Sequence, residues 1–143
     1  MTIEGIAVRM SVGTLTAIAG LHVAWGLGSS WPLPDRASLA DAVVGQPGVP
    51  GPAACFAVAG ALGTAALLVA GRPRRKPAVA RLGGFGVAGV LGLRGVVGLV
   101  GRTDLLSPGS SSDRFRRLDR MAYSPLCLAL AAGSAVSAGG GGR

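Results

Sequence analysis

Four apolar stretches dominate the chain, at about residues 10–29, 53–70, 82–101 and 121–138, and nearly all the charged residues lie between them. Each stretch is about 18 to 20 residues long, close to the ~20 that carry an α-helix across a ~30 Å hydrocarbon layer. The pattern predicts an all-α integral membrane protein: a four-helix bundle of up-down topology, one transmembrane domain over residues 1–143. A secretory signal is the competing reading of the first stretch, which follows Arg9 as a signal would. That stretch is long for a signal core, carries His22 and Trp25, and offers no small-residue cleavage site before Trp31.

The connecting segments carry the topology signals. GRPRRKPAVAR, residues 71–81, holds five basic residues and no acid. Short basic loops stay in the cytoplasm, which places both termini there, with the chain spanning the cell membrane. The 102–120 connection works against a clean assignment. It holds Arg102, Arg114, Arg116, Arg117 and Arg120 against Asp104, Asp113 and Asp119, so the basic count is seven inside (with Arg9 and Arg143) and six outside (with Arg36). The 30–52 connection, with WPLPD and QPGVPGP, is too rich in Pro and Gly for a long helix. A short helix at SLADAVVG, residues 38–45, fits, with Ser38 as its cap and Asp41 in its first turn. In the second connection a Ser/Gly stretch precedes DRFRRLDR, a helical approach to span four in which Phe115 and Leu118 share one side. The SAGGGGR tail is expected to fray.

Span three poses the physical problem. From Gly86 to Gly101 a glycine stands at every third position, with Arg94 in the middle. A three-residue step turns an α-helix about 300°, so these glycines spiral instead of lining one face. Gly84, Ala88 and Gly92 form a small-xxx-small row that lets a neighbouring backbone approach. A phosphate loop would need a strand before the glycines. Ten Leu, Val or Phe in residues 82–101 each favour insertion by roughly 0.3–0.6 kcal/mol near the span centre. Against them, a central arginine costs about 2.5–3.5 kcal/mol. Arg94 therefore needs a partner or water inside the bundle.

Depth supplies the partners. His22 lies about seven residues before the outer end of span one and Arg94 about seven before that of span three. At ~1.5 Å per residue both sit about 10 Å below one surface. Asp119 and Tyr123 stand at the outer entrance of span four, Trp25 one turn above His22, and Trp31 at the interface. The arrangement predicts a polar pocket in the outer half of the bundle. Arg94 is its permanent cation and Asp119 the counter-ion. His22 is a proton donor or acceptor near neutral pH, and Tyr123 adds a hydroxyl. Each has a plainer reading: Arg94 with Asp119 fixes helix register, His22 is a satisfied core histidine, and Trp25 and Trp31 are interface anchors.

Composition then removes function classes. A net charge of +8 suits phosphate binding, but the charges flank apolar spans, where membrane orientation explains them, so no nucleic-acid partner is expected. All fourteen basic residues but Lys76 are arginine, and with so much Ala and Gly this reflects coding bias. Cys55 and Cys127 form no C-x-x-C pair and read as small buried hydrophobes. One histidine excludes a bis-His haem, and no ligand set for zinc exists. No cofactor or metal is implied.

LHVAWGLGSSWP near the start, LRGVVG in span three and FRRLDRMAYSPLCL entering span four together resemble a family of small bacterial four-span membrane proteins catalogued as a domain of unknown function. The most specific part is the run of Phe115, Asp119, Tyr123, Ser124, Pro125, Leu126 and Cys127, and Arg94 matches the arginine of the family's third span. The resemblance implies the four-span fold and no known activity.

Three functions remain. The first is a membrane-embedded binding protein or accessory subunit. It would hold an amphiphile through Arg94, Trp25, Tyr123, His22 and Asp119, with a protein partner or second copy against glycine-rich span three. The second is a membrane enzyme acting on a lipid, isoprenoid or quinone, with His22 or Asp119 as acid/base. The third is a transporter.

Overall fold

The computed structural model describes residues 2–72, 74–106, 108–110 and 112–140. Among them six α-helices follow in order: α1 (Ile3–Gly26), α2 (Arg36–Val43), α3 (Pro52–Val69), α4 (Pro77–Leu99), α5 (Asp113–Leu118) and α6 (Ser124–Gly140). A 3₁₀ turn, Thr103–Leu105, follows α4. A π-helical turn, Asp119–Tyr123, joins α5 to α6, and no strand is present among the described residues. Arg143 and the last glycines of the SAGGGGR tail lie outside the described residues, while Ser137–Gly140 belong to α6.

The helices begin and end where local chemistry dictates. Thr2 caps α1, accepting from the Gly5 N–H at 3.2 Å. Pro52 and Pro77 open α3 and α4 at the position where a missing N–H costs nothing. The long helices α1, α3 and α4 all close on a glycine of positive φ, Gly28, Gly71 and Gly101. In each the next residue's N–H reaches back to the last turn, as from Arg72 to Leu67 O at 2.9 Å and from Arg102 to Val97 O at 3.0 Å. The short helix differs from expectation. It starts at Arg36, and its cap is Asp35, whose carboxylate accepts from the Ser38 N–H at 2.7 Å. Ser38 is the recipient of the cap, because Asp35 stands three residues earlier in extended backbone.

α1 and α4 also start several residues before the apolar stretches that announced them, taking Arg9 and Arg81 into helix. Basic side chains at a helix end can extend their heads to the polar layer.

α1 packs on α3, α3 on α4, α4 on α6, and α6 returns to α1. Contacts pair the end of one helix with the start of the next: Gly26 meets Phe56, Gly83 meets Leu68, and Gly98 meets Ser124. One core cluster of Leu15, Ala66, Val69 and Leu130 fills the half of the bundle where the chain begins. A second, around Trp25, Leu39 and Cys55, lies at the other end under α2.

Four helices, the last counted as Asp113–Gly140, are long and apolar enough to cross a membrane. Their outward surface is equally apolar: Val90 and Leu93 on α4 are 70% and 60% exposed. Faces this oily belong against acyl chains rather than water. The chain is a multi-pass membrane protein.

Candidate functional site

The site grows from two sequence features, a helix that must tolerate a proline and a helix stripped of side chains. Pro125 follows the first residue of α6. It has no N–H to give the preceding turn, and its ring crowds the carbonyl four residues back. The chain answers with the wider turn Asp119–Tyr123, closed by the Ser124 N–H on Asp119 O. In an α-helix, residues five apart point about 140° away from each other. The wide turn instead brings Asp119 and Ser124 to the same side, facing α4. There Gly95 and Gly98 leave room. A Cβ at Gly95 would stand 2.7 Å from Leu128 and 2.9 Å from Ser124 O. One at Gly98 would overlap Ser124 Oγ and lie 2.7 Å from Arg94 Nη1 and 2.8 Å from Asp119 Oδ2. Gly84 and Gly92 of the expected small-residue row meet Ala138 and Ala131, but the tightest approach is one to two turns further along the helix.

Into that space Arg94 and Asp119 bring their charges. Arg94 Nη2 donates to Asp119 Oδ1 at 2.6 Å. The Thr103 hydroxyl, on the turn after α4, donates to Oδ2, and the Ser124 hydroxyl lies 3.4 Å from Oδ1. Asp119 is 1% exposed and the Arg94 side chain 27%. Arg94 Nη1 is buried with no hydrogen-bond partner among the described residues. A carboxylate receiving a guanidinium and two hydroxyls satisfies the demand that a buried charge be paired and hydrogen-bonded.

Arg94 also lines a cleft of about 780 Å³ in the end of the bundle that holds α2. His22, Trp25 and Tyr123 line the same cleft, which brings together residues of α1, α4 and the turn before α6. Its walls are otherwise mainly apolar, with Leu21, Leu33 and Leu126 among them, and Arg114 supplies a second cation. Asp119 is not among the lining residues; it stands behind Arg94. His22 Nδ1 lies 2.9 Å from Ile18 O, one turn back. A carbonyl can only accept, so Nδ1 carries the proton and Nε2 of the neutral ring is the acceptor. The ring also packs on Trp25, with centroids 4.8 Å apart. Trp25 is buried, its indole N–H donating to Trp31 O at 2.7 Å, while Trp31 is exposed. The Tyr123 hydroxyl donates to Ala42 O at 3.0 Å, tying the turn to the end of α2.

The two connecting segments together form the cleft's outer wall. Gln46 reaches Pro108 O at 2.8 Å, Ser110 reaches Val44 O at 2.6 Å, and Ser112 donates to Asp41. Gly45 presses on Phe115, where a Cβ would come within 2.8 Å of the ring-bearing side chain. Arg36 Nη1 lies 3.3 Å from Trp25 O, over the end of α1.

Residues 15–134 match a protein family described as "Protein of unknown function (DUF3995)". The chain belongs to that family. No curated protein and no solved structure matches the chain. The match takes in His22, Trp25, Arg94, Asp119 and Tyr123, and with them the whole cleft.

In this DUF3995 protein the sequence pointed to the ion pair but not to its support. Thr103 and Ser124 complete the Asp119 site, and neither pairing follows from spacing, since each depends on how a turn is closed. Pro125 inside an apolar helix was the available signal for a distorted turn. Arg114 entered the sequence analysis only in the count of basic residues in the second connection. It lines the cleft and lies 3.8 Å from Asp41, whereas Asp113 is fully exposed, 4.0 Å from Arg116.

Proposed function

We propose that this protein binds an amphiphile, or the lipid-exposed part of a membrane partner, in the cleft beside Arg94. The supporting observation is the composition of that one cleft: a guanidinium held from behind by Asp119, with His22, Trp25 and Tyr123 around an otherwise oily cavity. Arg94 meets an anionic or polar head, and Trp25 with the leucine walls takes the apolar body. Asp119 positions Arg94 rather than touching the ligand. Placed in a cell membrane as a single up-down bundle with both termini cytoplasmic, the cleft opens in the outer half of the bilayer. The basic 71–81 loop supports that orientation. A partner or second copy has less of α4 to use than the glycine count suggests, because α6 occupies Gly84, Gly92, Gly95 and Gly98. Gly86 and Gly89 face open space.

Native mass spectrometry of the purified protein tests this reading. The wild type carries a lipid-like adduct, and Arg94→Leu loses it while Val90→Ala on the outer face keeps it. A wild-type protein that never retains any amphiphile, in detergent or in nanodiscs, removes the proposal.

The enzyme reading has its own support. With Nδ1 donating to Ile18 O, the unprotonated Nε2 of His22 is available as a base beside the cleft. His22→Ala then abolishes turnover of a lipid, isoprenoid or quinone substrate and leaves abundance and thermal stability unchanged. Loss of the folded protein in that variant instead makes His22 structural.

A further inference from the structure

The opposite end of the bundle holds a second cavity, of about 740 Å³, that the cleft does not use. It lies where the end of α3, the start of α4 and the end of α6 meet. Leu68, Leu82 and Phe85 give it an oily floor, and Arg74 and Arg81 stand on its rim. Both arginines are exposed, and neither is in an ion pair among the described residues. Five of the six acidic residues, Asp35, Asp41, Asp104, Asp113 and Asp119, belong to the other end of the molecule. The first turn of α4, where Pro77 and Ala78 join the rim, carries no side-chain cap.

We infer that this cavity is a binding site for an anionic phospholipid, its phosphate between Arg74 and Arg81 and an acyl chain along Leu82 and Phe85. Two cations without an ion-paired carboxylate among the described residues attract a phosphate, and an arginine fork suits its oxygens. The apolar floor decides between a lipid and a free anion. Leu82 and Phe85 are exposed on the flank of α4, so the cavity runs into the face that meets acyl chains. A soluble phosphate would leave that floor uncovered. Arg72, Arg75 and Lys76 add to the surrounding potential from the same segment but do not line the cavity. They separate a built site from diffuse attraction.

The full-length protein in neutral detergent is titrated with phosphatidylglycerol, phosphatidylcholine or inorganic phosphate, read by native mass spectrometry and by thermal unfolding. Phosphatidylglycerol is expected to bind and raise the melting temperature, and the other two to do neither. Arg74→Gln/Arg81→Gln is expected to weaken phosphatidylglycerol binding roughly tenfold more than Arg72→Gln/Arg75→Gln, which removes the same charge outside the cavity. Leu82→Ser weakens it with all charges in place. Equal losses in the two double variants, equal binding of phosphatidylcholine, or equal stabilisation by inorganic phosphate each overturn the site. The four substituted arginines are exposed, so the unliganded melting temperature stays within a few degrees of wild type and reports whether folding is intact.

Discussion

Placing one methyl group at position 98 probes the most crowded point of the membrane bundle. On helix propensity alone, Gly98→Ala helps, by about 1 kcal/mol in an ordinary helix interior. The surroundings say otherwise. The new Cβ overlaps Ser124 Oγ and lies 2.7 Å from Arg94 Nη1 and 2.8 Å from Asp119 Oδ2. Ser124 can rotate its hydroxyl away at the cost of its 3.4 Å contact with Asp119, a weak bond. The other two neighbours have less freedom, because they hold each other at 2.6 Å and Asp119 is buried. Relief requires α4 and α6 to separate, and such overpacking costs about 1–3 kcal/mol. The net expectation is a destabilisation of roughly 0–2 kcal/mol, which places Gly98→Ala about 1–3 kcal/mol below an alanine substitution at an open helix position. The assay is equilibrium unfolding in mixed micelles, with Gly89→Ala as the internal reference because nothing lies within 4 Å of a Cβ there. Gly89→Ala is expected to be neutral or slightly stabilising. In Gly98→Ala/Ser124→Ala part of the loss returns, so the two changes are not additive. A Gly98→Ala protein at least as stable as Gly89→Ala would refute the close packing and the buried network built on it.

Two further outcomes follow from the outer wall. Tyr123→Phe removes the hydroxyl that holds Ala42 O at 3.0 Å and is expected to cost about 1 kcal/mol in the same unfolding assay. A value near zero means that the tie to α2 is not made. The Asp35 carboxyl is held below its ordinary value of 3.8 by the Ser38 N–H and then the Ser38 side chain. Its pKa is depressed on folding, so its support of α2 is complete above pH 3.8 and fades as the pH falls through the lower folded value. Hydrogen exchange of the Ser38 amide, corrected for its intrinsic pH dependence, should lose protection only below that point. Asp35→Ala should show the unprotected behaviour at every pH. Protection unchanged by the substitution would assign the cap elsewhere.

What could be read from the sequence follows the strength of each physical constraint. Hydrocarbon demands long apolar helices, so four of them were visible directly, and a lone arginine in the third demanded company. Equal depth along alternating helices named His22, Arg94, Asp119 and Tyr123 together. The cleft lined by His22, Arg94 and Tyr123, with Asp119 behind it, has that composition. The helix boundaries were less visible, because Arg9 and Arg81 are tolerated in helix once their heads reach the polar layer. The spiral of glycines was legible as a spiral, but which of its members meets α6 depends on the rotation of α4. The π turn sets the rotation of Asp119 and Ser124, and only Pro125 hinted at it. The connecting segments were hardest. Their Ser, Gly and Pro content suggested loose chain, yet Gln46, Ser110 and Ser112 pin the two segments to each other through partners more than sixty residues away in sequence.

The central claim is that the arginine of span three turns inward and is held by Asp119. A double-mutant cycle of Arg94→Leu and Asp119→Asn, measured by unfolding in micelles, tests it most directly. Each single change leaves one partner without the other, and removing one member of a buried pair costs up to about 3–5 kcal/mol, less here because Arg94 is partly exposed. The double variant is expected to be at least about 1 kcal/mol more stable than the sum of the single losses. Additivity within about 0.5 kcal/mol, the behaviour of residues that do not touch, would contradict the account.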